Sequence, residues 1–418
     1  MKTLLFLTSS YPYYPAEFFI ENEIPYLAEA FDTVCVVPMG GDDTRPPRAV
    51  PENVIVADDV RRLLNGGRRG LLEKIAIGAV SLPRGIHAVG EEALSRRKAI
   101  MRKSRALPAM LRQAAVAGYI APAIEELIVR HKPSVVYSYW LSTSALAAQL
   151  ALDRLGRPAP LAARSHGFDL YEEENDLNYC PFQNYLVSRL DAVLPVSDHG
   201  TSYIKGKYGG IARGDIRTSL LGVHGGGISR PSADGVARVA SCSFARPIKR
   251  LPLMAEAIGQ LDYPVLWTHI GDGPQLPEVR RLAADIMKEK PHIRIEFKGE
   301  LPNREVLNYY DTNPVDVFLN ASSSEGIPMS IMEASSRGIP TVATDVGGTS
   351  ELVHDGDGGG LLMPRDVTSA GIAESLSLML NEPKKDRKNR REAAYRRWNK
   401  CFNAATNYGE FCGYLQSL

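Results

Sequence analysis

Apolar residues in this chain follow two alternating patterns, short unbroken runs and longer stretches in which they recur every three or four positions. That alternation predicts parallel strands separated by helices. In the first half the runs fall at 3–8, 33–38, 134–139, 161–165 and 191–197. An amphipathic helix is predicted over 17–30, which makes 3–38 a βαβ unit, and Ser197 is placed to cap a second helix reaching Tyr208. The pattern restarts at 238–243 and continues through 264–270, 293–297, 315–319 and 340–344, with helices predicted over 251–261, 305–310 and 370–380. Between the halves lies a glycine-rich break at 220–235 that includes Gly225-Gly226-Gly227, a composition expected of a hinge between domains. The expected fold class is α/β, with two Rossmann-like doubly wound domains at 1–222 and 223–397.

Composition narrows the function. A chain of 418 residues with 44% hydrophobic content is too long for one core, which agrees with two domains. A net charge of +1 argues against a dedicated nucleic-acid binder. The five cysteines include no Cys-x-x-Cys pair, which suits a reducing cytoplasm and suggests no metal site. The apolar start of the chain is too short for a signal peptide and reads as a first strand, and no run approaches the roughly 18 apolar residues that span a bilayer. One local asymmetry stands out, since twelve Lys or Arg face only three Glu between Arg61 and Arg105. Two readings stay open for it: solvated helices over the sheet, or a surface for an anionic membrane. Near the end, 383–400 reads as a charged, solvated helical face, followed by an aromatic stripe of Trp398, Phe402, Tyr408, Phe411 and Tyr414.

Candidate chemistry concentrates at Leu319-Asn-Ala-Ser-Ser-Ser-Glu325-Gly-Ile-Pro-Met-Ser-Ile-Met-Glu333-Ala-Ser-Ser-Arg-Gly338. This reads as a strand end, a small polar loop and a helix that starts near Glu325 and Gly326 and stops at Gly338. Backbone N–H groups at such a helix start seat anions. Pro328 cannot donate, so Ile327, Met329 and Ser330 would supply the contacts. A second cluster, Arg246-Pro-Ile-Lys249-Arg250, puts cations at a helix's first turn, where they oppose its dipole and are better matched to an anion. Gly271-Asp272-Gly273 marks a tight turn without a full dinucleotide fingerprint. In the first half, His166 and Asp169 follow a strand end, where open α/β sheets place ligands; Asp169 also suits a cap for a helix near Tyr171.

The Ser-Glu325-Gly326-Ile-Pro core, the Glu333-Ala that follows it and the downstream Gly347-Gly348 resemble the glutamate-pair signature of retaining nucleotide-sugar glycosyltransferases of the GT-B fold, family four. The resemblance covers both halves and is most specific from Ser243 to Glu351. It implies a nucleotide-diphosphate sugar donor, no cofactor and no metal. It assigns the ribose hydroxyls to Glu333, sugar hydroxyls to Glu325, the diphosphate to Lys249 and the transferred sugar to His166. The family's partner arginine lies five residues before the lysine, where this chain has Phe244; Arg246, three residues before it, is the substitute, and Arg250 adds further charge for the diphosphate. Lys298 and Gly299 would edge the nucleotide base, with Gly271 and Gly273 alongside. The first loop departs from the family, whose glycines there lie near the donor phosphates. It is Tyr-Pro-Tyr-Tyr-Pro-Ala-Glu-Phe-Phe here, and it resembles a subgroup associated with exopolysaccharide assembly. At the hinge, Leu221 and His224 replace the family's polar residues and inherit no ligand role.

The resemblance also implies a glycan or lipid-linked acceptor, a final helix (398–418) packing back on the first domain, and a cytoplasmic protein held peripherally at the inner face of the cell membrane. Two other readings share the architecture: a nucleotide-sugar epimerase or phosphorylase-like enzyme, and a non-catalytic binding subunit.

Overall fold

The computed structural model describes residues 2–14, 17–42, 44–65, 71–101, 105–353 and 358–418, without the side chains of 71–80, 98 and 99. It divides into two compact units, one of Met1–Leu220 with Tyr408–Leu418 and one of Leu221–Asn407. Residues 398–407 thus belong to the second unit, against the expected return of the chain at 398. Trp398 is the reason: its indole donates to the Val223 carbonyl, and its ring lies where any side chain at Gly225 would have to sit. Tyr408 and Phe411 are buried in the first unit, where they pack near Tyr26 and Tyr137.

The first unit is a parallel sheet of seven strands, β1 (Thr3–Thr8), β2 (Thr33–Pro38), β3 (Val54–Val56), β4 (Val135–Ser138), β5 (Leu161–Ser165), β6 (Ala192–Pro195) and β7 (Asp215–Ile216), in the order β3-β2-β1-β4-β5-β6-β7. The unbroken apolar runs form strands buried on both faces, as a helix-covered parallel sheet demands. Strand order reverses between β1 and β4, and that reversal opens a crevice at the strands' carboxyl ends.

The second unit repeats the plan with β8 (Ala237–Cys242), β9 (Val265–Ile270), β10 (Ile293–Gly299), β11 (Val317–Asn320), β12 (Thr341–Thr344) and β13 (Gly360–Met363), all parallel, in the order β10-β9-β8-β11-β12-β13. Its reversal lies between β8 and β11.

Several local expectations change. The helix expected over 17–30 is a 3-10 turn at Phe18–Asn22 and a helix at Ile24–Ala30, and Glu17 itself is left-handed (φ 61°) and stands outside both. Asp169 caps no helix; its carboxylate accepts from the N–H groups of His166 and Leu141. The charged segment near the end is a helix, Lys384–Cys401, but one side of it is packed: Arg391 is buried and donates to the carbonyls of Val315 and Ser229.

The basic segment forms the helices Asp59–Asn65, Leu71–Ser95 and Arg97–Met101, followed by Ala106–His131. The two long helices touch closely, since a side chain at Gly118 would collide with the Ser81 carbonyl at 2.2 Å. Arg61 turns inward to Asp58 and over the Tyr13 ring, and Arg96 pairs with Glu172 at 2.8 Å. Arg68, Arg69, Arg102 and Lys103 lie outside the described residues. Among the described residues no helix is long and apolar enough to cross a membrane.

Candidate donor site in the second unit

The loops that follow β8 and β11 meet at the reversal of the second sheet. Ser323 N–H donates to the Ile248 carbonyl at 2.8 Å, which joins the two loops directly. Arg250, itself left-handed (φ 52°), spans the gap with its guanidinium, donating to the carbonyls of Ala321, Ser322 and Arg365. Those bonds make Arg250 a brace between loops, with Nε and both terminal nitrogens each donating to a carbonyl.

Lys249 is the cation this brace leaves facing the site. Its Nζ lies 2.6 Å from Glu325 Oε1. The same oxygen accepts from Ser322 Oγ at 2.7 Å and from Asn320 Nδ2 at 3.3 Å, so three donors converge on one carboxylate oxygen. Arg246 is exposed and stacks over Phe244, 4.9 Å from guanidinium carbon to ring centre. Its carbonyl accepts from Lys249 N–H at 2.9 Å, which holds the two residues in one turn.

The helix after the loop begins at Met329, not at Glu325 or Gly326, and is one turn shorter in front than expected. Pro328 is extended and caps it, while the segment before is pinned from β12: Gly348 N–H donates to the Gly326 carbonyl at 2.8 Å. Gly347 (φ 54°) makes that approach possible, because a Cβ there would fall 1.7 Å from the Glu325 carbonyl. Met329 and Ser330 therefore lie in the first helical turn, and Ile327 is buried ahead of it. The helix ends at Ser335, and Gly338 lies two residues past the cap with φ 63°.

Glu333 is 3% exposed and points into this helix's packed side. Asn303 Nδ2 donates to its Oε1 at 2.6 Å. Burial pushes its pKa up to about 7, with the Asn303 bond and Arg337 pulling the other way. Asn303 was not foreseen, and nothing in Pro302-Asn303 distinguishes it from an ordinary helix start.

Gly271 and Gly273 take positive φ because β9's loop passes tightly under that of β8; a Cβ on Gly271 would lie 1.9 Å from the Ser243 carbonyl. Their visible role is packing. Gly299 (φ 72°) accepts from Gly271 N–H at 2.8 Å, and the exposed Lys298 pairs with Glu296, which holds its ammonium pKa above the ordinary value.

His166 belongs to the first unit and is described there by itself. It follows β5 and stacks on Tyr139 (4.7 Å) and against Trp140 (4.4 Å). Its Nδ1 lies 3.9 Å from Asp169 Oδ2, and both ring nitrogens lack a hydrogen-bond partner. Burial lowers its pKa against the opposing pull of Asp169, so the ring is neutral at pH 7 and one nitrogen is available to accept a hydroxyl proton.

Comparison with known proteins agrees with this construction. Residues 233–397 match the model of the glycosyl transferases group 1. WcaL of Salmonella typhimurium, named as a colanic acid biosynthesis glycosyltransferase, is 28% identical over 375 residues, 86% of this chain and 87% of that protein. Among solved structures, the lipopolysaccharide outer core galactosyltransferase WaaB matches over the full length of both chains with a TM-score of 0.69 at 14% identity. HepE of Anabaena, in complex with UDP and glucose, does so with 0.66 at 16%. The family match lies across the second unit, and with both sheets wound as in these glycosyltransferase structures the chain has the GT-B fold.

Proposed function

We propose that this enzyme transfers a sugar from a nucleotide-diphosphate donor, with retention of anomeric configuration and without a metal ion, to a glycan or lipid-linked acceptor in surface polysaccharide or glycolipid assembly. The observation that carries the reading is the Lys249–Glu325 contact at the strand-order reversal of the second sheet. A diphosphate arriving there meets an ammonium already oriented, and the carboxylate it leaves is free to take sugar hydroxyls. Glu333 then receives the ribose hydroxyls, and the N–H groups of Met329 and Ser330, in the first helical turn, face phosphate. Arg246, exposed beside Lys249, supplies further positive charge. With cations and N–H donors meeting the charge of the leaving group, no divalent ion is required for it. Among the described residues no carboxylate is assigned as a nucleophile, and in this reading the leaving phosphate itself takes the acceptor's proton.

The acceptor class is supported by the WcaL relationship and by the first unit's surface. Leu94 and Met101 are 81% and 74% exposed, with exposed Arg97 between them and Arg105 after them, a mixture suited to an anionic lipid surface at the inner face of the membrane.

Purified protein incubated with a panel of nucleotide sugars should release nucleotide equally with and without chelator. The product linkage, read by NMR, should keep the donor's anomeric configuration. Chelator-sensitive turnover removes metal independence, and an inverted linkage removes retention. An epimerase would return an isomerised donor with no transfer product, and a binding subunit would release no nucleotide. The protein should sediment with vesicles containing phosphatidylglycerol, and a variant with Leu94, Arg97, Met101 and Arg105 changed to Ser should stay in the supernatant.

A further inference from the structure

In the first unit the loop after β1 folds around a carboxylate that belongs to the chain itself. Glu17 is 1% exposed. Its Oε1 accepts from Ser9 N–H (2.9 Å) and from the Trp140 indole N–H (2.6 Å). Its Oε2 accepts from Ser10 N–H (2.6 Å), Tyr11 N–H (2.7 Å) and Ser10 Oγ (3.3 Å). Three consecutive backbone N–H groups turned toward one point are an anion nest, a concavity that binds phosphate or carboxylate through fixed partial charges. Here the nest lies at the carboxyl end of β1, beside the sheet's strand-order reversal, and Glu17 fills it. Glu17 holds a left-handed φ of 61° to do so, a strained conformation for a non-glycine residue that persists only where surrounding contacts outweigh it.

The indole bond gives this arrangement a second consequence. Trp140 follows β4, on the other side of the reversal, and its ring packs at 4.4 Å on His166 and at 5.0 Å on the half-exposed Phe168. Glu17 therefore joins the β1 loop to the aromatic wall that carries His166.

We propose that Glu17 is a positioning residue: an internal anion that fills the β1 nest and fixes Trp140 and, through it, the His166 imidazole. This rests on the glycosyltransferase reading for the role of His166, while the nest itself does not depend on it. Two functions follow from one carboxylate. The first loop's N–H groups are satisfied by the chain's own carboxylate. The imidazole packs on a ring whose indole N–H is tied to Glu17.

Removing the side chain should leave a nest that a small carboxylate can enter. Formate is the probe. In Glu17→Ala, Trp140 loses its acceptor, so tryptophan emission should shift from that of the wild type and return toward it on titration with formate. Trp140→Phe in the same background should abolish the response, which separates Trp140 from the other two tryptophans. In turnover, Glu17→Ala should lower kcat roughly ten- to hundredfold while donor KM stays within about threefold, and formate should restore part of the loss. Should Glu17→Ala fail to fold, Glu17→Gln, which keeps the volume and one acceptor oxygen, should fold and show the same kcat-weighted loss. Emission in Glu17→Ala identical to wild type and indifferent to formate overturns the nest, whether or not nucleotide release is ever observed. A formate response with kcat unchanged overturns the positioning of His166 and leaves the glycosyltransferase reading intact. A donor KM raised far more than kcat is lowered places phosphate in the first loop and overturns the proposal.

Discussion

Lys249 and Glu325, 76 residues apart in the chain, meet through a 2.6 Å contact between Nζ and Oε1. Both are mostly buried, so neither charge is well served by water, and each needs either the other or a ligand. A diphosphate competes for the ammonium with more negative charge than a carboxylate carries. Lys249→Ala should therefore weaken binding of nucleoside diphosphates by roughly ten- to a hundredfold, about 1.4–2.8 kcal/mol, and leave binding of the bare nucleoside nearly unchanged. Isothermal titration with UDP, GDP and their nucleosides checks this, and an equal loss for nucleoside and diphosphate would contradict it.

Glu333 should make the second unit's stability depend on pH. Its folded pKa of about 7 stands above the ordinary 4.5, so between those values the folded chain keeps a proton that the unfolded chain has lost. Stability then falls as pH climbs from about 4.5 through about 7, and below that window the group contributes no penalty. Glu333→Gln removes the titration. The variant should match wild type near pH 4 and exceed it at pH 8 by roughly 1–3 kcal/mol in urea unfolding. Asn303→Ala, which deletes the donor to Oε1, should move the wild-type midpoint upward.

These two carboxylates also show what was readable in the chain. The strands were legible because burial on both faces of a parallel sheet forces unbroken apolar runs, and the Ser-Glu-Gly loop was legible because it sits between two of them. Lys249 could be singled out because a cation at a helix start works against the dipole. Glu17, Asn303 and Arg250 could not be sorted in the same way. Glu17 looked like the first residue of an amphipathic helix, whereas the N–H groups of Ser9 to Tyr11 turning back on it and the Trp140 indole, 123 residues on, make it a buried acceptor. Arg250 shared Lys249's dipole argument, yet its αL backbone turns the guanidinium to carbonyls that lie 71 and more residues away. Helix 329–335 started late because Gly347 and Gly348 reach it from β12, a contact that local patterning does not contain.

Arg250 should consequently behave unlike its neighbour. Arg250→Ala leaves the carbonyls of Ala321, Ser322 and Arg365 without their donor and should cost roughly 1–3 kcal/mol of stability. In protein that remains folded, diphosphate affinity should change by less than about threefold, against roughly tenfold or more for Lys249→Ala. Thermal unfolding paired with titration separates a brace from a ligand; a large affinity loss at unchanged Tm would return Arg250 to the donor site.

Arg164 and Glu23 form a fully buried pair in the first unit, with NH1 2.7 Å from Oε2 and neither side chain exposed. Arg164 also donates to Ser219 Oγ and lies 4.1 Å over the Phe411 ring, so it ties β5 to the segment 408–418 of the same unit. Taking two charges out of water costs nearly as much as their attraction returns, so the pair as a whole adds little, whereas one partner alone is a bare buried charge. Arg164→Met should therefore destabilise the first unit by roughly 3–5 kcal/mol, and Glu23→Leu by a similar amount. The double variant should recover most of that loss, because no charge is then left to desolvate. Urea unfolding followed by a signal from the first unit, such as Trp140 emission in a background lacking the other two tryptophans, gives the four corners of the cycle. A double variant as unstable as the sum of the singles would show that Arg164 acts through packing on Phe411 and not through its charge.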